Sequence, residues 1–203
     1  RNITKSFPGV KALDSVSFCV HRGSVHALVG ENGAGKSTLM KILNGLYHAD
    51  SGEILLDGKP VEIRDSIAAK ALGIGMVHQE LNVVGELSVA ENIFLGREPR
   101  TKFGTIDHKR LYSEAAHFLQ LQNLSYDPKM KMKEMSIGEQ QMVEIIKTVY
   151  FSSKIVIMDE PTSSLSETEA EQLFRILRRL RGEGCGIIYI SHKMSEILSL
   201  ADE

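Results

Sequence analysis

The residues best equipped for chemistry lie between Gly30 and Ser37. Gly30-Glu31-Asn32-Gly33-Ala34-Gly35-Lys36-Ser37 has the spacing GxxxxGK[ST], the P-loop pattern, in which glycines let the backbone wrap until successive N–H groups converge on phosphate oxygens. An apolar run, Val25–Val29, precedes the motif and a helical pattern, Lys36–Leu46, follows it, so the positive end of a helix favours the same anion. Lys36 is placed to bring a full charge to the β and γ phosphates, and the Ser37 hydroxyl to ligate magnesium. Ile155-Val156-Ile157-Met158-Asp159 is an apolar strand ending in a carboxylate, expected to hold that magnesium through water. Glu160 follows directly, a second carboxylate able to orient or deprotonate an attacking water. An apolar strand before Asp-Glu is common by itself; the P-loop upstream gives it this meaning.

Two further polar residues stand where strands end. His192 follows the apolar run Ile187–Ser191, and Gln79 follows Ile74–Val77. Ligands of a parallel sheet sit at the carboxyl ends of its strands. His192 is therefore expected to approach the γ phosphate, and Gln79 to touch the metal or the water. Taken alone, each would read as an ordinary structural or solvated residue. The other histidines, His21, His26, His48, His78, His108 and His117, show no metal-ligand spacing and read as solvated or packed.

These residues need a scaffold, and the pattern predicts one. Val16–Val20, Val25–Val29, Ile74–Val77, Ile155–Met158 and Ile187–Ile190 read as strands, the last three unalternating, as in strands covered on both faces. Glu53–Leu56 and Pro60–Ile63 flank Asp57-Gly58, a hairpin turn. Helices are predicted at Lys36–Leu46, at Ile67–Leu72 with Gly73 as its terminator, and after Ser166-Glu167-Thr168-Glu169, a capping box. Ala170, Leu173, Phe174, Leu177 and Leu180 form the stripe of that last helix. Strands alternating with helices argue for a parallel α/β sheet. From about Leu81 to Gln141 strand signals are few and helix formers many, so this stretch reads as a helical insertion. Within it Lys129, Lys131 and Lys133 alternate with Met130 and Met132, the pattern of a mobile solvated strand or loop.

Composition excludes several classes. The chain has 203 residues, one domain with room for an inserted subdomain, and a chain this long buries roughly 70% of its unfolded surface. Lys and Arg number 24 against 26 Asp and Glu, a net charge of −2, which excludes a strongly basic nucleic-acid binder or a polybasic membrane anchor. Two cysteines, Cys19 and Cys185, are too few for a disulfide scaffold or a thiolate zinc site and read as reduced thiols. No apolar run reaches the roughly 18 residues that cross a bilayer, and neither end reads as a signal peptide. Beginning at Arg1 and stopping at Glu203, the sequence is expected to be a piece of a longer chain.

One more motif carries a family resemblance. Met135-Ser136-Ile137-Gly138-Glu139-Gln140-Gln141 precedes the apolar helical pattern Met142–Tyr150 and resembles the signature of ABC transporter ATPases. The ordered set is complete: P-loop, Gln79, signature, Asp159-Glu160, Ser163-Ser164-Leu165 as D-loop, and His192 as switch histidine. Phe7-Pro8-Gly9-Val10-Lys11-Ala12-Leu13, Val77-His78-Gln79-Glu80-Leu81, Glu160-Pro161-Thr162-Ser163-Ser164-Leu165 and Ile190-Ser191-His192-Lys193-Met194 are similar to the carbohydrate-importer branch, which includes galactose/methyl-galactoside, ribose and xylose importers. Members of that branch carry two ATPase modules in one chain, and residues 1–203 resemble the first.

The resemblance implies an α/β P-loop NTPase fold, an ABC ATPase core with an N-terminal antiparallel β subdomain and a helical subdomain inserted at 81–141. It implies ATP and Mg²⁺ as ligands. Phe7 matches the aromatic that stacks on adenine, Gly30 to Thr38 the phosphate cradle, and Ser37 and Gln79 the magnesium contacts. Glu160 matches the catalytic base and His192 the γ-phosphate switch, while Ser136 and Gly138 match signature residues that touch the γ phosphate of an opposite module. Met135, Ile137 and Glu139 stand where Leu, Gly and Gln are commonest, and Ser166 where Asp is usual; Glu139 is expected to add negative charge near a phosphate. The implied function is to power sugar import at the cytoplasmic face of the membrane. The implied partners are a second ATPase module, transmembrane permease subunits and, indirectly, a periplasmic or extracellular sugar-binding protein, with no nucleic acid. Two other readings stay open: a soluble ABC ATPase outside transport, and a nucleotide-binding regulatory module with little turnover.

Overall fold

A Pro8-Gly9 turn, with Gly9 at φ 81°, opens the fold by folding β1 (Ile3–Phe7) back on β2 (Val10–Val16) as an antiparallel pair. The computed structural model describes residues 1–203 except Asn32, Gln79, Glu80, Ser153 and Glu203. The expected strand at Val16–Val20 is not formed: only Val16 pairs, as the last residue of β2. Ser15 takes a left-handed turn (φ 50°) at an irregularity in the ladder, and beyond Val16 the Ser17 hydroxyl, not a backbone carbonyl, accepts the Asn2 N–H at 2.7 Å. Phe18 and Val20 then pack on the core from a loop. β1 itself was hidden from a pattern reading because Lys5 and Ser6 dilute its apolar alternation.

β3 (Val25–Leu28) leads through the glycine loop to α1 (Lys36–Leu43). The helix stops short of the expected Leu46 because Gly45 adopts φ 73°. Gly45 N–H bonds to Ile42 O at 3.1 Å and Leu46 N–H to Lys41 O at 2.8 Å, which satisfies two of the last helical carbonyls. The hairpin β4 (Ile54–Leu56) and β5 (Lys59–Val61) turns through Asp57-Gly58. Both turn residues have positive φ, 53° and 76°, the geometry that matches strand twist. α2 (Ser66–Ala71) starts at Asp65, whose carboxylate accepts the Ala68 N–H at 2.7 Å, and it ends before Gly73 at φ 82°.

The central sheet is parallel throughout. It joins β3, β6 (Ile74–Val77), β7 (Ile155–Asp159) and β8 (Gly186–Ile190) in the order β3-β8-β7-β6. Every residue of β6 and β8 is buried, so their unalternating apolar sequences reflect burial on both faces. Met40 and Ile42 of α1, Ala69 of α2, and Ile74, Ile157 and Ile188 of the sheet share one core cluster.

The remaining helices are α3 (Val89–Ile93), α4 (His108–Leu121), α5 (Ile137–Phe151), α6 (Glu167–Gly182) and α7 (Met194–Leu200). Ser166 and Glu169 form the expected capping box at the start of α6, and Leu173, Leu177 and Leu180 of its stripe are buried. The chain divides into two compact units: Arg1–His78, Phe151–Glu160 and Leu177–Glu203 make one, and Gln79–Tyr150 with Pro161–Ile176 the other. The second unit contains the 81–141 stretch, and the described part of that stretch holds no named strand. Of the strand or loop expected for the basic run, the structure shows loop leading into a short turn, with Lys129, Lys131 and Lys133 exposed. Met132 is fully buried in a short 3-10 turn, Val89 N–H bonds to Met130 O and Met132 N–H to Leu87 O, and Lys131 and Lys133 both pair with Glu86.

Gly45 is fixed by two constraints, its φ and its surroundings, since a Cβ there would overlap the backbone carbonyl of Asp65. Gly45→Ala is therefore expected to lower unfolding stability by about 2 kcal/mol or more, measured by urea denaturation.

Candidate functional site

The glycine loop has the geometry of an anion cradle. Gly33 and Gly35 adopt φ 85° and 88°. A Cβ on Gly35 would meet the Ala12 carbonyl and the Leu13 side chain, whereas nothing lies within 4 Å of the place where a Gly33 side chain would begin. One glycine thus lets β2 pass close beneath the loop, and the other leaves its outer side open. Gly35 occupies the N-cap of α1, and no described side chain caps that helix. Its first N–H groups therefore still need an acceptor. Lys36 folds over the loop, donating to Gly30 O at 2.5 Å and Glu31 O at 2.9 Å. Glu31, Gly33, Ala34 and Ser37 are exposed, with Thr38 half-buried behind them. Asn32 lies outside the described residues.

The carboxyl end of β7 concentrates negative charge. Asp159 is held above the ordinary carboxylate range, first by burial and then by repulsion from Glu160, while His78, Lys36 and Lys41 pull it down. Glu160 takes φ 47°, a left-handed turn rare outside glycine. Its N–H bonds to Ile190 O at 3.0 Å, which swings the side chain toward the end of β8. There Glu160 Oε1 lies 3.1 Å from His192 Nδ1. Two residues that the sequence separates by 32 positions are thus brought into contact. The His192 ring remains largely exposed, 71% against 24% for Glu160.

Phe7 ends β1. Its ring meets Tyr47 edge-on at 5.3 Å between centroids, with Lys5 Nζ 5.6 Å from its centre. Lys5 is tied to Asp50 at 2.7 Å, and Asp50 also accepts the Ser6 N–H at 2.7 Å. These bonds hold Asp50 below the usual carboxylate range and brace the end of β1. Tyr47 is not distinguished by the sequence, and His78, read there as solvated or packed, acts on Asp159 from its place directly after β6.

In the second unit the signature residues start α5. Ser136 and Glu139 form a capping box: Ser136 N–H donates to Glu139 Oε2 at 2.8 Å, and Glu139 N–H donates to Ser136 Oγ at 3.2 Å. Glu139, expected to add negative charge near a phosphate, is engaged at the helix start, where a glutamate serves as well as a glutamine. Ile137 is 63% exposed. Gly138 is buried, and a Cβ there would overlap the Glu169 carboxylate. Tyr126 shares this acidic surrounding; burial, then Glu139 and Glu169, push its phenol up to about 12. Ser163 and Ser164 are exposed. Gln79 lies outside the described residues.

The comparisons agree with one another. A family model described as ABC transporter matches residues 13–163. Proteins named as ribose/galactose/methyl galactoside import ATP-binding proteins are similar to nearly the whole chain. That of Burkholderia cenocepacia is 56% identical over 98% of the chain and 39% of its own length. That of Albidiferax ferrireducens is 54% identical over 100% and 40%. The chain thus spans about two-fifths of the length of the curated relatives it matches. Among solved structures, a nucleotide-free ATP-binding cassette from an ABC transporter superposes with a TM-score of 0.86 at 28% identity, covering 99% of this chain and 83% of its own. The ADP conformation of such a cassette superposes at 0.84, also at 28% identity, with the same coverage of both chains.

Asp159 generates a test of the site's electrostatics. Its acid is weakened by folding, so its contribution to stability is fully present below the ordinary carboxylate value and is lost as pH rises from there through the raised one. At pH 7 the ligand-free protein carries an unfavourable charge there. Asp159→Asn should raise the melting temperature by about 2–4 °C, the shift that about 1 kcal/mol makes in a domain of this size, and the gain should vanish near pH 3.

Proposed function

The chain belongs to the ABC transporter family and has the fold of its ATP-binding cassettes, and from that premise we propose that it binds and hydrolyses ATP to power import of a sugar through a membrane transporter. The observation that carries the reading is the meeting, at the carboxyl edge of one parallel sheet, of the Lys36 loop, the Asp159–Glu160 pair and His192. The names of the relatives support sugar as the cargo.

In this reading the loop N–H groups and the start of α1 bind the phosphates, and Lys36 leaves the Gly30 and Glu31 carbonyls for the β and γ phosphates. Phe7 stacks on adenine. Mg²⁺ fits the chemistry of the donors: the Ser37 hydroxyl and the Asp159 carboxylate are hard oxygen ligands, and burial and Glu160 oppose the negative charge on Asp159. Gln79 would complete the contacts. When bound, the ion supplies charge to the phosphate oxygens. Glu160 orients a water for in-line attack on the γ phosphorus and takes its proton, giving ADP and phosphate, while His192 faces the same phosphate and keeps Glu160 aimed.

A second ATPase module would complete the site, with Ser136 and Gly138 of each module reaching the γ phosphate of the other. The module, 1–203 with its helical insertion at 81–141, would act at the cytoplasmic face of the membrane, where closing and reopening of the pair moves permease subunits that receive sugar from a binding protein. Among the described residues no helix is long and apolar enough to cross a membrane.

Two variants test this. Glu160→Gln should keep ATP affinity within about twofold while turnover falls by about 100-fold or more; surviving turnover removes Glu160 from the chemistry. Lys36→Ala should weaken ATP binding by at least about tenfold, read by fluorescence titration with a nucleotide analogue, and unchanged affinity would contradict the phosphate-cradle reading.

A further inference from the structure

His192 stands on backbone held by a carboxylate outside every motif. Glu196, in the first turn of α7, is 8% exposed. Its Oε2 accepts the Tyr189 hydroxyl at 2.8 Å and the Ser191 hydroxyl at 3.0 Å, and its Oε1 lies 3.2 Å from Lys193 Nζ. The Ser191 oxygen in turn accepts the Lys193 N–H at 3.0 Å. Ser191 and Lys193 are the two chain neighbours of His192. Tyr189 and Ser191 flank Ile190, whose carbonyl receives the Glu160 N–H. One buried side chain therefore ties both sides of His192 and the strand end that supports the Glu160 turn.

The chemistry of the tie shows what it is for. The imidazole is largely solvent-exposed, so packing contributes little to where the ring points, and its direction is inherited from the backbone beneath it. A desolvated carboxylate is a costly way to join a helix to a strand end, and apolar side chains of similar volume commonly do as well or better for stability. What a carboxylate adds is directional: two hydroxyl donors on one oxygen and a cation on the other fix relative positions that dispersion contacts leave loose. We infer that Glu196 is the positioning residue for His192, clamping Ser191 and Lys193 so that the imidazole meets Glu160. The inference rests on the functional reading above, in which His192 and Glu160 act together.

The test is a double-mutant cycle on the full-length protein, reading steady-state ATP turnover and ATP affinity for Glu196→Ala, Glu196→Gln, His192→Ala and the Glu196→Ala/His192→Ala pair. Glu196→Ala should lower kcat by at least about tenfold with the ATP Kd within about twofold, because misplacement without loss of binding acts on the chemical step. Glu196→Gln keeps an oxygen for both hydroxyls and should recover most of the rate. Added to His192→Ala, the Glu196 change should lower the residual rate no further, as expected for residues acting as one unit. Tyr189→Phe removes one donor without leaving a charge unpaired and should give an intermediate kcat, which keeps the inference open to refutation if Glu196→Ala does not fold. The inference is overturned if the two losses multiply, which marks a general effect on the fold, or if Glu196→Ala and Tyr189→Phe both turn over like the wild type. If His192→Ala itself turns over like the wild type, the functional reading fails and the inference falls with it.

Discussion

Two carboxylates side by side at the end of a buried strand repel each other, and burial strengthens the repulsion. That pair, Asp159 and Glu160, is the constraint around which the first unit is arranged. Asp159 stays on the strand and its charge is opposed by folding. Glu160 leaves the strand through a left-handed turn that a glutamate adopts only at a cost. The turn brings its carboxylate against His192. The groups that lower the Asp159 pKa come from separate elements: Lys36 and Lys41 from α1, and His78 from the end of β6. Parallel strands make this convergence possible, since their carboxyl ends share one edge.

The balance is left incomplete. Strain at Glu160, an unrelieved charge at Asp159 and an uncapped α1 are all unfavourable in the ligand-free protein. In the proposed function the charge at Asp159 would be answered by a cation and the start of α1 by a nucleotide phosphate. Stability withheld at a site in this way is the usual counterpart of tight binding there. The core of the unit supplies the margin: Met40, Ile157 and Ile188 are almost wholly buried, so the strained edge rests on a well-packed sheet.

Much of this was legible in the sequence for identifiable reasons. The P-loop could be read because its glycines are demanded by local geometry, Gly33 and Gly35 by φ and Gly35 also by the close approach of Ala12. β6, β7 and β8 could be read because burial on both faces leaves an apolar run. Asp57-Gly58 and the Ser166 capping box are local chemistry, and they formed as read. What stayed hidden depends on partners distant in sequence. β1 is recognisable only through its pairing with β2. Val16–Val20 looks like a strand, yet beyond Val16 its side chains serve packing while its backbone finds no ladder. Glu139 resembles a misplaced charge until Ser136 is seen to use it as a cap. His78 and Glu196 acquire meaning only when the sheet brings Asp159 and His192 beside them.

The proposed function requires that a nucleotide together with a divalent cation complete the charged edge at Asp159. The most direct measurement is calorimetric titration of the wild-type protein with ATP at pH 7, once with millimolar Mg²⁺ and once with a chelator. Binding is expected in both conditions, with Mg²⁺ tightening it by about tenfold, or about 1.4 kcal/mol, because the ion neutralises carboxylate charge that the fold leaves uncompensated. Equal affinity in the two titrations, or weaker binding with Mg²⁺, would contradict it.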